Sequence, residues 1–161
     1  MAATIRCLGN PILRLNNLNL DLLYQYIVHF SQLYNLSDNN DMQNLIEQFW
    51  LASNGLNFEL SNYLNSQIIE KFTQILRESI RLLCGSFSED EIGEGTKSDF
   101  INFYGNIKKY ELYLKHKELD SVDYWNIQIN NARIFCNGRQ IFTTDFVRFD
   151  FFYESLISVA K

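Results

Sequence analysis

The sequence contains few of the residues that build reaction centres. It has two histidines, His29 and His116, which lie far apart, and three cysteines, Cys7, Cys84 and Cys136, without CxxC spacing. Widely spaced thiols of odd number indicate reduced cysteines in a cytoplasm-like compartment. The phosphate-binding, dinucleotide-binding and nucleophile-elbow motifs are absent as well. We therefore predict no catalytic residue, no cofactor and no metal site, and the balance favours a protein that is not an enzyme.

Proline, glycine and long apolar runs are also scarce. One proline and seven glycines leave little material for long irregular loops. No apolar run approaches the ~18 residues of a membrane span, and no basic-then-apolar leader opens the sequence. The net charge of −5 and the pI near 5.0 disfavour a nucleic-acid surface, because phosphate binding needs clustered Lys and Arg. We expect a cytoplasmic protein that does not enter a membrane.

Apolar and aromatic residues, by contrast, are plentiful. Hydrophobic residues make up 47% of the 161 residues, and 13 Phe and 9 Tyr are among them. A chain of this length can bury a sound core without disulfides or metals. We predict a single domain over residues 1–161, with a helical body at about 15–118 and a β-rich end at about 122–161.

Helical periodicity dominates the first two thirds of the chain. Apolar residues recur at i, i+3, i+4 and i+7, which predicts four helices. Their predicted ranges are about 19–34, 41–54, 61–84 and 96–118. Caps are predicted at Asn19, at one of Ser37, Asp38 and Asn40, at Ser61 and at Thr96, with Gly55 and Gly85 as helix ends.

The C-terminal third has a different pattern. β-favouring residues interrupted by Asn130-Asn131 and Asn137-Gly138 predict strands at roughly 124–129, 132–136 and 139–143. The tail at 146–153 fits both a strand and a helix, and a helix is favoured. The predicted fold class is thus α+β: a mostly helical body, a small antiparallel meander near the C-terminus and a terminal helix.

The opening segment IRCLGNPILR, residues 5–14, resembles the start of peptide deformylases, and DMQNLIEQFWLASNGL, residues 41–56, is loosely similar to the helix that follows in that family. The resemblance ends where the family needs its metal ligands. Cys84 lies in LLCGSF instead of the family's Glu-Gly-Cys-Leu-Ser, and the HExxH helix is missing. Deformylase activity is therefore not expected, and the segment predicts a turn followed by an extended edge anchored by Ile12 and Leu13.

Two features predict a surface for a partner. The loop at 86–99 concentrates acidic side chains, and the aromatic C-terminal third leaves some large apolar groups facing outward. The predicted partner-binding residues are Glu89, Asp90, Glu91, Glu94, Val147 and Phe151. The leading hypothesis is a non-catalytic macromolecule-binding protein of inhibitor, immunity or adaptor type, bacterial or viral, that occludes a protein partner with a basic surface. Homo-oligomer formation is left open.

Two alternatives come from other classes of function. One is an enzyme without a recognised motif, in which one of the three cysteines pairs with His29 or His116. The other is a small nucleic-acid-associated subunit that uses the lysines and tyrosines of KKYELYLKHK, residues 108–117. A solvated helix face is the favoured interpretation of that segment.

Overall fold

A β-hairpin opens the chain. In the computed structural model, which describes residues 1–115, 127–130, 133–136 and 139–141, strand β1 (Ala2–Cys7) pairs antiparallel with strand β2 (Asn10–Asn16). The two turn residues, Leu8 and Gly9, have positive φ values of 50° and 83°, as tight hairpin turns require. The predicted fold class places its sheet near the C-terminus and does not include this N-terminal sheet, so it is wrong in that respect, whereas a mixed α+β, mostly helical fold is confirmed.

A β-bulge explains how the hairpin is anchored. Ile5 pairs with Leu13 while Arg6 pairs with Pro11, which leaves Ile12 as an extra residue in β2. Because a bulge places two consecutive side chains on one side of the strand, Ile12 and Leu13 are both buried. The predicted extended edge anchored by these two residues is confirmed, since β2 is the outer strand of its sheet.

A short third strand completes this sheet in the order β2-β1-β3. Strand β3 (Phe58–Glu59) runs parallel to β1, and the Asn57 side chain accepts a hydrogen bond from the Thr4 N–H at 2.7 Å. A 3₁₀ turn, Leu60–Asn62, follows. Ser61 therefore does not cap a helix as predicted; its hydroxyl donates to Glu59 at 2.6 Å and accepts from the Leu8 N–H at 3.3 Å.

The first two helices begin on asparagine caps. Helix α1 spans Asn17–Leu33, and the Asn16 side chain accepts from the Asn19 N–H at 2.8 Å. Helix α2 spans Asn40–Ser53, and Asn39 accepts from the Met42 N–H at 3.0 Å. The predicted caps, Asn19 and the set of Ser37, Asp38 and Asn40, are thus wrong by one to three residues, because neighbouring asparagines offer the same chemistry.

Three more helices follow in the described part of the chain. Helix α3 spans Ile69–Ser86, so Gly85 lies inside it and does not end it as predicted. Helix α4, Glu89–Ile92, occupies the segment that was predicted as a loop. Helix α5 spans Thr96–Lys115 and packs on α3 and β2.

Aromatic rings join these elements at the centre of the core. The Phe49 ring of α2 lies 5.3 Å from that of Phe58, 5.8 Å from that of Phe72 and 6.2 Å from that of Phe103. One ring of α2 thus contacts β3, α3 and α5. Burial of aromatic side chains of this size is a major source of stability.

A buried ionic network lies between α5 and α3. The Glu111 carboxylate accepts hydrogen bonds from Thr73 Oγ1 at 3.0 Å, Lys108 Nζ at 3.0 Å and Lys115 Nζ at 3.3 Å. Lys108 and Glu111 are both buried. The predicted solvated face is therefore wrong for this part of the 108–117 segment, because the Lys108 ammonium is buried and paired with the Glu111 carboxylate.

Three further strands pair antiparallel in the order β4-β5-β6: Ile127–Asn130, Arg133–Cys136 and Arg139–Ile141. The predicted terminal helix and the predicted site residues Val147 and Phe151 lie outside the described residues. Among the helices that are described, none combines the length and apolar character needed to cross a bilayer.

Candidate functional site

The predicted acidic residues lie on and beside α4. Glu89, Asp90, Glu91 and Glu94 are all exposed. The Ser88 N–H and Ser88 hydroxyl both donate to Glu91 Oε1, at 3.0 and 3.1 Å, as in a capping box. These bonds, the backbone one first, lower the pKa of Glu91 below its usual 4.5. At neutral pH the segment therefore presents negative charge on an ordered helical turn.

Helix α4 is fixed to the beginning of α1. The Asn19 side chain is buried and donates from Nδ2 to the carbonyl of Ile92, the last residue of α4, at 2.8 Å. Thr96 Oγ1 donates to the same carbonyl at 3.0 Å. The Ile92 side chain is buried as well. The acidic helix therefore has a defined place beside the N-terminal turn of α1.

Large apolar side chains are exposed next to that turn. Met1 is 90% exposed, Leu18 81% and Leu56 56%. The Asn17 N–H donates to the Met1 carbonyl at 3.1 Å, and a Cβ at Gly55 would lie 3.1 Å from Met1 Cε. These contacts place Met1 beside Asn17 and Gly55, the residues that precede Leu18 and Leu56, and we call Met1, Leu18 and Leu56 the apolar patch.

Helix α4 is joined to α1 at Asn19, the residue that follows Leu18 of the apolar patch. We call α4, Glu94 and the apolar patch together the acidic end. Sequence reasoning found its carboxylates but missed its apolar patch. In the sequence, Leu18 adjoins an apolar stripe and resembles a core residue. Only the structure shows that its side chain is directed into solvent.

A second surface feature lies at the other end of α1. Phe30 of α1 and the C-terminal half of α3 enclose a pocket of about 350 Å³. Its remaining lining residues are Glu78, Arg81, Leu82, Gly85 and Ser86. The Tyr34 ring stacks on Phe30 with the ring centroids 6.4 Å apart. At ~1.5 Å per residue, Phe30 lies roughly 18 Å along the helix from Leu18.

Cys84 has the opposite character to an activated nucleophile. Cys7 and Cys84 are buried, and burial raises the pKa of the Cys84 thiol to about 11 although Lys97 lowers it slightly. His29 is exposed, with its ring edge-to-face on Phe30 at 5.1 Å. The Cys136 side chain and His116 lie outside the described part. No group of three His, Cys, Asp or Glu side chains in that part is arranged to hold a metal.

Comparison with known proteins found no family model, no curated protein and no solved structure that matches the chain. The deformylase-like opening is thus a local similarity, and its residues form the β1–β2 hairpin. The function has to be argued from the surfaces described above.

Proposed function

We propose that this protein is a non-catalytic binding protein of inhibitor, immunity or adaptor type that occludes a protein partner with its acidic end. One observation carries the proposal: the hydrogen bond from Asn19 to the Ile92 carbonyl holds the acidic helix at α1, one residue after the exposed Leu18. The surface thereby combines the negative charge of α4 with exposed hydrophobic side chains.

Each half of this surface has a separate role in binding. Exposed Met and Leu side chains that lose water on contact supply affinity, as the buried centre of an interface does. The carboxylates around them steer a partner of opposite charge and reject negatively charged ones. The partner expected on these grounds is a protein whose basic surface surrounds an apolar side chain or cleft.

The high pKa of Cys84 supports binding over thiol catalysis. A nucleophilic cysteine needs a pKa lowered towards neutrality, by a cationic neighbour or a helix N-terminus. Cys84 lies near the C-terminal end of α3, and burial keeps its thiol protonated. The cysteine–histidine alternative therefore gains no support from this thiol.

Affinity purification from extracts of the source cells, quantified by mass spectrometry, tests the proposal. The baits are the wild type, Leu18→Asp, and the charge-reversed triple variant Glu89→Lys/Asp90→Lys/Glu94→Lys, which leaves the capping box of Ser88 and Glu91 intact. All of the substituted side chains are exposed, so the fold is expected to persist. A partner that uses the acidic end is recovered by the wild type and lost, by about tenfold or more, from both variants.

Matched controls carry the same changes elsewhere. Leu33→Asp places an acid at an exposed leucine on the opposite end of α1, and Glu47→Lys reverses an exposed charge on α2. Both controls are expected to retain the partner. Undiminished recovery with Leu18→Asp and with the triple variant, or equal loss with the controls, would refute the proposal.

A further inference from the structure

Helix α3 carries two charged groups at the pocket that are incompletely satisfied. Glu78 Oε1 accepts from Arg77 Nε at 3.1 Å and from Arg77 Nη2 at 2.9 Å, whereas Glu78 Oε2 accepts no hydrogen bond from the described residues. Arg81, one turn further along the helix, is exposed and has neither a hydrogen bond nor an ion pair within that same part of the chain. An acidic and a basic group therefore flank the pocket with spare capacity.

Apolar side chains stand beside these charges. Leu82 is 43% exposed, and Leu82 and Phe30 both line the pocket. The half-exposed Tyr34 ring stacks on Phe30 and extends the same surface. The surface thus contains a cavity and, next to it, apolar side chains that project into solvent. We call the pocket together with Tyr34 the pocket face.

We propose that the pocket face binds a second copy of this chain in a symmetric dimer. The two α3 helices lie antiparallel about a two-fold axis near their C-terminal halves. Arg81 of each copy then faces the partner subunit's Glu78, and Leu82 of each copy enters the partner subunit's pocket. Every contact occurs twice, as two-fold symmetry requires.

The pairing of charges identifies a second copy as the occupant. A face that binds one foreign protein needs only charges opposite to those of that protein. A face that binds its own copy must contain both the positive and the negative member of each ion pair, and both the cavity and the side chain that fills it. The pocket face has a carboxylate and a guanidinium one helical turn apart, and it has both a cavity and the projecting Leu82. Since the face is small, the expected dissociation constant is micromolar or weaker.

The proposal goes beyond the proposed function, because the acidic end lies at the other end of α1 and is not used in the dimer. Loss of one activity therefore leaves the other measurable. If the protein dimerises but no foreign partner is found, only the proposed function fails. If a foreign partner binds but no dimer forms, only the dimer proposal fails.

Sedimentation velocity over a concentration series provides the test. The wild type is expected to shift reversibly from monomer to dimer as its concentration rises. Arg81→Glu and Glu78→Arg each place like charges opposite one another, and each is expected to weaken the dimer by about a hundredfold. Leu82→Asp, which puts a charge into the partner subunit's pocket, is expected to have an effect of similar size.

Mixing the two charge variants makes the test specific for the symmetric arrangement. In an equimolar mixture of Arg81→Glu with Glu78→Arg, each cross-pair again joins opposite charges, so a 1:1 heterodimer is expected although each variant alone is monomeric. The double variant Glu78→Arg/Arg81→Glu is expected to dimerise by itself. Glu70→Lys, an exposed change on the same helix outside the pocket, is the control and is expected to dimerise as the wild type does.

Three results would overturn the proposal: a wild type that stays monomeric at millimolar concentration, a Leu82→Asp or Arg81→Glu variant that dimerises undiminished, or a mixture that forms no heterodimer. Glu78→Arg also breaks the ion pair with Arg77, so circular-dichroism melts accompany that variant. If it fails to fold, Arg81→Glu and Leu82→Asp decide, since neither residue contributes to that ion pair.

Discussion

The two ends of α1 present hydrophobic side chains to solvent in different electrostatic settings. At the N-terminal end, Met1, Leu18 and Leu56 lie beside a helix whose charged side chains are all acidic. At the C-terminal end, Phe30 and the exposed Leu82 line a pocket together with both Glu78 and Arg81. Apolar exposure alone would mark both as binding surfaces without saying what either one binds.

The difference in charge separates their partners. Two copies of the acidic end repel each other, because every carboxylate would meet another carboxylate. The pocket face has no such penalty, since a two-fold rotation brings each charge opposite its complement. The signs of the charges around an apolar surface thus distinguish a site for a foreign, basic partner from a site for a second copy of the same chain.

The largest expected effect is a loss of overall stability, which would weaken binding at both ends of α1. It follows from a change in the buried ionic network between α5 and α3. Glu111→Leu removes the acceptor that satisfies the buried Lys108 ammonium, and an uncompensated buried charge costs about 3–5 kcal/mol of unfolding free energy. We expect urea denaturation to show a loss of that size, with partner binding and dimerisation both weakened as folded protein is lost.

The matched control for this change removes the stranded charge too. Lys108→Met/Glu111→Leu replaces the pair with apolar side chains, and we expect it to recover most of the lost stability. If Glu111→Leu is as stable as the wild type, the ionic network contributes nothing to the stability of the scaffold. The two ends of α1 would then not be supported by this network.

A smaller change separates the two ends. Asn19→Ala removes the hydrogen bond to the Ile92 carbonyl, which costs about 1 kcal/mol, and frees α4 from the start of α1. We expect faster amide hydrogen exchange in α4 and weaker partner binding, with dimerisation unchanged. Asn44→Ala, an exposed position on α2, serves as the control. Unchanged partner binding in Asn19→Ala would show that the acidic end does not act as one surface.

Sequence reasoning predicted the helical body well because its signals are local. The apolar stripe of α3 and the Asn54-Gly55 stop of α2 need no knowledge of the rest of the chain. Of the β1–β2 hairpin, a turn and the edge strand that follows it were predicted, whereas strand β1 was missed. The turn uses Leu8 at a positive φ, a conformation that leucine rarely adopts, so the sequence does not show that a strand ends there.

The sites were harder to predict because they depend on contacts between distant segments. The exposed acidic residues follow from composition, but Asn19 and Ile92 meet only through the packing of α4 on α1. The pocket likewise joins Phe30 to Leu82 across two helices. Neither Leu18 nor Leu82 differs in sequence from a core leucine, and the outward direction of each appears only once the helices are packed.

The smallest expected effect is the pH response of the acidic end. Hydrogen bonds from Ser88 lower the pKa of Glu91 in the folded protein, so the capping box contributes stability above the ordinary pKa of 4.5 and loses it as the pH falls through the lower folded value. We expect the Ser88 amide resonance, followed by NMR from neutral pH downward, to titrate with a midpoint below 4.5. Glu91→Gln is expected to abolish that transition while leaving the amide resonances around the pocket face unchanged. A midpoint at or above 4.5 in the wild type would show that the capping box does not hold α4, and the fixed negative surface that distinguishes the acidic end from the pocket face would lose its structural basis.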